Sequence, residues 1–123
     1  MKITSFSPLI VSKDAESLIQ LFEDMGFEKA HTKDDIEGGK NVNVQLKDAA
    51  GHRVNVASSE TIPQDLTAIT INVDNFQEAY DFLIAHGFVN PRGDAVTDTA
   101  SSKATLLFSP SGVAINIAEH LKH

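Results

Sequence analysis

Gly51-His52-Arg53-Val54-Asn55-Val56-Ala57 and Gly112-Val113-Ala114-Ile115-Asn116-Ile117-Ala118 follow one pattern, 61 residues apart. Each is a glycine, two residues, a branched aliphatic, Asn, a branched aliphatic and Ala. Alternation with period two marks a strand with one buried face. Upstream of each glycine stands a turn, Asp48-Ala49-Ala50-Gly51 or Ser109-Pro110-Ser111-Gly112. Upstream of each turn stands another strand, Asn41 to Leu46 or Lys103 to Phe108. Both copies therefore read as hairpins.

The same offset holds further out. Asp14 and Asn75 are helix N-caps in equivalent places, the second with Glu78 where a capping box wants it. Leu18, Ile19, Phe22 and Met25 form one apolar helical stripe, and Phe76, Ala79, Tyr80 and Leu83 form the other. Gly26-Phe27 and Gly87-Phe88 end the two helices. Ile3 to Val11 and Thr67 to Val73 are the leading strands, with Pro8 an irregularity in the first. Phe27 to Thr32 is a short strand, and Lys33 to Gly39 is expected to be a polar loop. Each half is a βαββ(β) unit of about 55 residues that cannot bury its own face alone. The expected organisation is module one over 1–58, a linker over 59–66 and module two over 67–123, in a single α+β domain.

Composition narrows the function classes. The chain has no Cys, which removes disulfides, thiolate metal sites and a cysteine nucleophile. A net charge of −7 argues against nucleic acid, which needs a basic face, and modestly favours cationic ligands. No apolar run approaches a membrane span or a signal peptide, so membranes are not an expected partner and a cytoplasmic location is expected.

The order Asp14-Ala15-Glu16-Ser17, Leu21-Phe22, Gly26-Phe27-Glu28, then Val73-Asp74-Asn75 and Ala85-His86-Gly87-Phe88, with the two hairpin turns, resembles the vicinal oxygen chelate superfamily. This is the family of glyoxalases, bleomycin resistance proteins and dioxygenases. The resemblance covers nearly the whole chain. It implies two βαβββ modules forming a U-shaped, eight-stranded mixed sheet around a cavity, with the helices outside. In metal-dependent members a His on the first strand and a Glu on the last strand of each module hold a divalent ion. That ion acts as a Lewis acid on adjacent substrate oxygens.

Carried onto this sequence by strand alternation, the metal positions are Ser7, Asn55, Ala68 and Asn116. Neutral amide and hydroxyl oxygens hold zinc, nickel or iron poorly, and calcium usually wants carboxylates. No metal or other cofactor is expected. His31, His52, His86, His120 and His123 sit at strand ends, turns or a terminus and are read as surface residues. Arg92-Gly93-Asp94 reads as a turn and Ser101-Ser102-Lys103 as a loop.

The same alternation turns Asn55, Asn72 and Asn116 toward the cavity, with Asn43 and Gln45 as further candidates. These amides serve either a ligand or one another. Arg53 is expected to point inward as well, either to hold a carboxylate or phosphate or to pair with an acidic side chain at the rim. The expected function is a metal-free small-molecule-binding protein, as in the bleomycin-resistance branch, which implies a homodimer. A glyoxalase-like lyase, isomerase or dioxygenase is the alternative, although the ligand positions supply no general base. An interaction module without a small ligand is the third reading.

Overall fold

In the computed structural model, residues 1–36, 41–60, 62–93, 95–98 and 102–120 are described. Of the expected features, Glu37 to Gly39 of the polar loop, Asp94, Ser101 and His123 lie outside these residues. The elements run β1 (Ile3–Ser12), α1 (Ala15–Asp24), β2 (Glu28–Ile36), β3 (Asn41–Lys47), β4 (Arg53–Ser58), β5 (Leu66–Val73), α2 (Phe76–Ala85), β6 (Thr97–Asp98), β7 (Ser102–Phe108) and β8 (Ala114–His120). The class is α+β, as expected. The chain falls into two compact units. The first is Ser7–Thr67, and the second joins Met1–Phe6 to Ala68–His123.

In the first unit the strand order is β2-β3-β4-β1. β1 runs parallel to β4, while β2, β3 and β4 are antiparallel neighbours, so the pairing is mixed. Helix α1 begins because Asp14 accepts the Ser17 amide at 3.2 Å and its hydroxyl at 2.7 Å. It lays Ala15 and Ile19 on Val44, Leu46, Val54 and Val56, with Leu18, Phe22 and Phe27 at the margin. Leu46 and Val56 are completely shielded from solvent. Ser12 is also buried, and its hydroxyl donates to Asp65 at 2.7 Å while accepting the Asp14 amide at 2.9 Å.

The second unit repeats the plan with the order β5-β8-β7-β6, β5 and β8 being parallel. Asn75 caps α2 by accepting the Glu78 amide at 3.0 Å. The Glu78 carboxylate does not close a capping box on Asn75 and instead meets the amino group of Met1. Ala79 packs against Val73, Phe76 and Ile117, with Ile71, Tyr80, Leu83 and Ile115 around them. Gly51 and Gly112, which open the repeated stretch, have φ of +92° and +99°, a region open to glycine and strained for other residues.

One local expectation fails. Lys33 to Ile36 belong to β2 and not to a loop. Their partners decide it: Lys33, Asp34 and Ile36 pair with Asn43, Val42 and Asn41. Backbone hydrogen bonds to a strongly patterned neighbour outweigh the low strand propensity of a Lys-Asp-Asp run.

Each hairpin turn is held by its first side chain. Asp48 accepts the amides of Ala50 and His52 at 3.0 and 2.8 Å and lies 2.9 Å from the His52 ring Nδ1. The hydrogen bond from His52 is the main reason the Asp48 carboxyl titrates below its ordinary value. A carboxylate held low in the folded state stabilises it above the usual carboxylate pKa of about 4, and loses that contribution as the pH falls through the folded value. Acid melting curves from pH 6 to 2 should therefore steepen less for Asp48→Asn than for the parent. Identical slopes would show that this turn plays no part in acid sensitivity.

Candidate functional site

The pleat sorts each strand into a helix side and an open side. In the first unit Val54 and Val56 lie on the helix side, in the core under α1. Asn55, between them in sequence, takes the other side. Its neighbour across β3 is Gln45 and across β1 is Leu9. Ser7 stands two residues before Leu9 and is 4% exposed. Asn43 and Gln45 are both half-buried, two residues apart along β3. Ser7, Leu9, Asn43, Gln45 and Asn55 thus share one face.

Arg53 is exposed. It is the first residue of β4, pairs with Lys47 on β3, and falls on the same side of the strand as Asn55, two residues on.

In the second unit Ile115 and Ile117 pack toward α2, and Asn116 takes the open side opposite Thr70 on β5 and Leu106 on β7. Ala68, 2% exposed, precedes Thr70 by two residues. Asn116 Nδ2 donates to Thr70 Oγ1 at 3.3 Å. Asn72 Nδ2 donates to Ser5 Oγ at 2.5 Å. Both amides therefore have protein partners.

In Asn55 it is the oxygen that stands out: Oδ1 is buried and has no hydrogen-bond partner among the described residues. Most buried carbonyl oxygens in folded proteins are paired, so an orphan of this kind calls for an account. Sequence reasoning reached the residue by alternation, but nothing in the sequence distinguished it from Asn116.

The superfamily metal can be tested against these donors. The pair in the first unit is Ser7 and Asn55, and in the second Ala68 and Asn116. Ala68 has no donor atom, and Asn116, whose Nδ2 donates to Thr70, offers only its neutral Oδ1. What remains is neutral oxygen, which does not fit a resident transition-metal ion. No group of three or more His, Asp or Glu stands together among the described residues. The carboxylate of β8, Glu119, accepts the Phe76 amide at 2.6 Å and so serves the start of α2.

A cleft of about 260 Å³ lies elsewhere in the first unit, between the end of α1 and the β3–β4 turn. Glu28, Lys29, Lys47 and Asp48 supply two charges of each sign to its walls, and none of the sequence candidates lines it. Among the described residues, no helix is long and apolar enough to cross a membrane.

The family model described as the glyoxalase/bleomycin resistance protein/dioxygenase superfamily matches residues 3–117. The chain belongs to this superfamily. No curated protein sequence matches. Solved structures agree on the fold. A superfamily member from Vibrio splendidus 12B01 is 18% identical, with a TM-score of 0.61 over 96% of this chain and 99% of its own. Methylmalonyl-CoA epimerase from Mycobacterium tuberculosis is 14% identical, with a TM-score of 0.69 over 98% and 90%. Glyoxalase I from Zea mays is 15% identical, with a TM-score of 0.69 over 98% of this chain and 44% of its own. At these identities the likeness is one of fold.

Proposed function

We propose that this superfamily member binds a small organic molecule through the amide-bearing open face of its strands, without a resident metal ion. The observation that carries the reading is the chemistry of the metal-equivalent positions. They hold Ser7, Asn55, Ala68 and Asn116, and Asn55 has a buried oxygen with no partner among the described residues. Asn43, Gln45 and Asn55 supply neutral hydrogen-bonding groups, and the net charge of −7 favours a neutral or cationic ligand over an anion. Sequestration of such a molecule by a cytoplasmic homodimer is the corresponding role. A lyase, isomerase or dioxygenase of this fold would need a general base, and Asn43, Asn55, Asn72 and Asn116 are not bases.

Thermal shift on protein stripped with a chelator tests the reading. Cationic, neutral and carboxylate-bearing compounds are compared with Ni²⁺, Zn²⁺ and Mn²⁺ alone. A ligand at a hundred times its Kd stabilises the fold by about 2.7 kcal/mol, a shift of several degrees. The expected result is such a shift from organic compounds in the cationic or neutral group, with none from the metals. Stoichiometric metal binding, or ligand binding only after metal is restored, would sink the proposal.

A further inference from the structure

We propose that the cleft between the end of α1 and the β3–β4 turn is a separate binding site, for a small zwitterion of the α-amino acid class, independent of the amide-bearing face. The duplicated unit supplies the reference state. Under the 61-residue offset Gly26, Glu28, Lys47 and Ala49 correspond to Gly87, Val89, Phe108 and Pro110. In the second unit that corner is closed. The Pro110 ring lies against Gly87, 3.7 and 3.8 Å from where a Cβ would stand, and Val89 and Phe108 exchange backbone hydrogen bonds of 2.9 Å. In the first unit Ala49 lacks the ring, and a Cβ on Gly26 would meet nothing within 4 Å. A cleft of about 260 Å³ stands open there. That volume falls just below the roughly 300–1,000 Å³ of pockets for drug-sized ligands and suits a molecule of amino-acid size.

The walls select the charge pattern. Glu28 and Lys47 stand directly opposite across β2 and β3, and both line the cleft. Opposite charges so placed attract one another. Among the described residues, however, neither enters an ion pair, and nor does Lys29, which lines the cleft beside them. Asp48 differs, because its carboxylate is taken up by the Ala50 and His52 amides and the His52 ring. One carboxylate and two ammonium groups therefore face the cleft without an ion pair. A ligand with a carboxylate for the lysines and an ammonium for Glu28 satisfies both signs, while a single charge attracts one wall and repels the other. The body of the ligand takes the place that the Pro110 ring fills in the second unit.

L-proline is the probe, because its ring matches the one that closes the second unit. It is compared with N-acetyl-L-proline, which keeps only the carboxylate, and L-prolinamide, which keeps only the ammonium, by ¹H–¹⁵N NMR titration of the full chain at low salt. L-proline should bind with a Kd of about 1 mM, shift the amides of Gly26, Glu28 and Ala49, and exceed both analogues by about fivefold. Glu28→Gln should weaken L-proline about fivefold and leave N-acetyl-L-proline within about twofold. Ala49→Pro installs the missing ring. Ala49 holds the second position of the turn closed by the Gly51 amide on the Asp48 carbonyl at 3.1 Å, a place that favours proline. The variant should keep the parent spectrum elsewhere and lose L-proline binding. Should it not fold, Lys47→Met carries the test, with an expected loss of about fivefold. The assignment falls if the three probes bind alike, if none saturates, if the shifts map elsewhere on the chain, or if binding survives these substitutions. None of these outcomes touches the amide-face reading, which rests on other residues.

Discussion

Leu46→Ala should lower the stability of the folded chain by about 3 kcal/mol, within the roughly 2–5 kcal/mol typical of such core truncations. Leu46 is completely buried and sits on β3 opposite Val54, under Ala15 and Ile19 of α1. Removing its branch forfeits the transfer energy of three carbons and leaves a void. β3 is held between β2 and β4, so the walls of that void can close only in part. Urea unfolding monitored by circular dichroism would measure the change as a lower midpoint at an unchanged slope. A loss under about 1 kcal/mol would mean that the α1 core is looser than described.

Asn55→Leu, one position along β4 from Val54, should act in the opposite direction. Asn55 Oδ1 is buried with no partner among the described residues, and such a group costs about 1–3 kcal/mol. Leucine has nearly the same size, needs no hydrogen bond and meets Leu9 across β1. The variant should gain about 1 kcal/mol in the absence of ligand, or about 4 °C in melting temperature for a chain of this size. A residue retained for structure alone would show the reverse sign. Loss of stability in Asn55→Leu would mean that the amide is paired in the folded protein, through water or otherwise. Gain of stability with loss of ligand binding is the signature of a site kept at the expense of the fold.

These opposite signs at adjacent faces of one hairpin come from the pleat, and the pleat is legible in sequence. Val54 and Val56 alternate with Asn55 in the same way that Ile115 and Ile117 alternate with Asn116. Helix boundaries were legible for a similar reason. Asp14, Asn75, Gly26 and Gly87 answer needs of the local backbone, and those needs do not depend on what the chain meets later. The extent of β2 was not legible, because Lys33 to Ile36 are strand only by virtue of β3.

Which amides are satisfied is the furthest from local. Asn72 finds Ser5 and Asn116 finds Thr70, each across a strand boundary. Asn55 and Asn116 sit in nearly identical heptapeptides, so no reading of those stretches alone could tell them apart. The distinguishing residues, Leu9 and Thr70, lie on other strands and are matched only when the parallel register is known. Once that register is in hand, a single aligned pair shows a hydroxyl beside Asn116 and a leucine beside Asn55.

The bond between Thr70 and Asn116 also bears on how the duplication has aged. Thr70 accepts from the Asn116 Nδ2 of one half, while Leu9, in the matching place of the other half, offers no acceptor. Two stretches that still share their pattern of residues have thereby diverged in their bonding, through changes on the strands beside them.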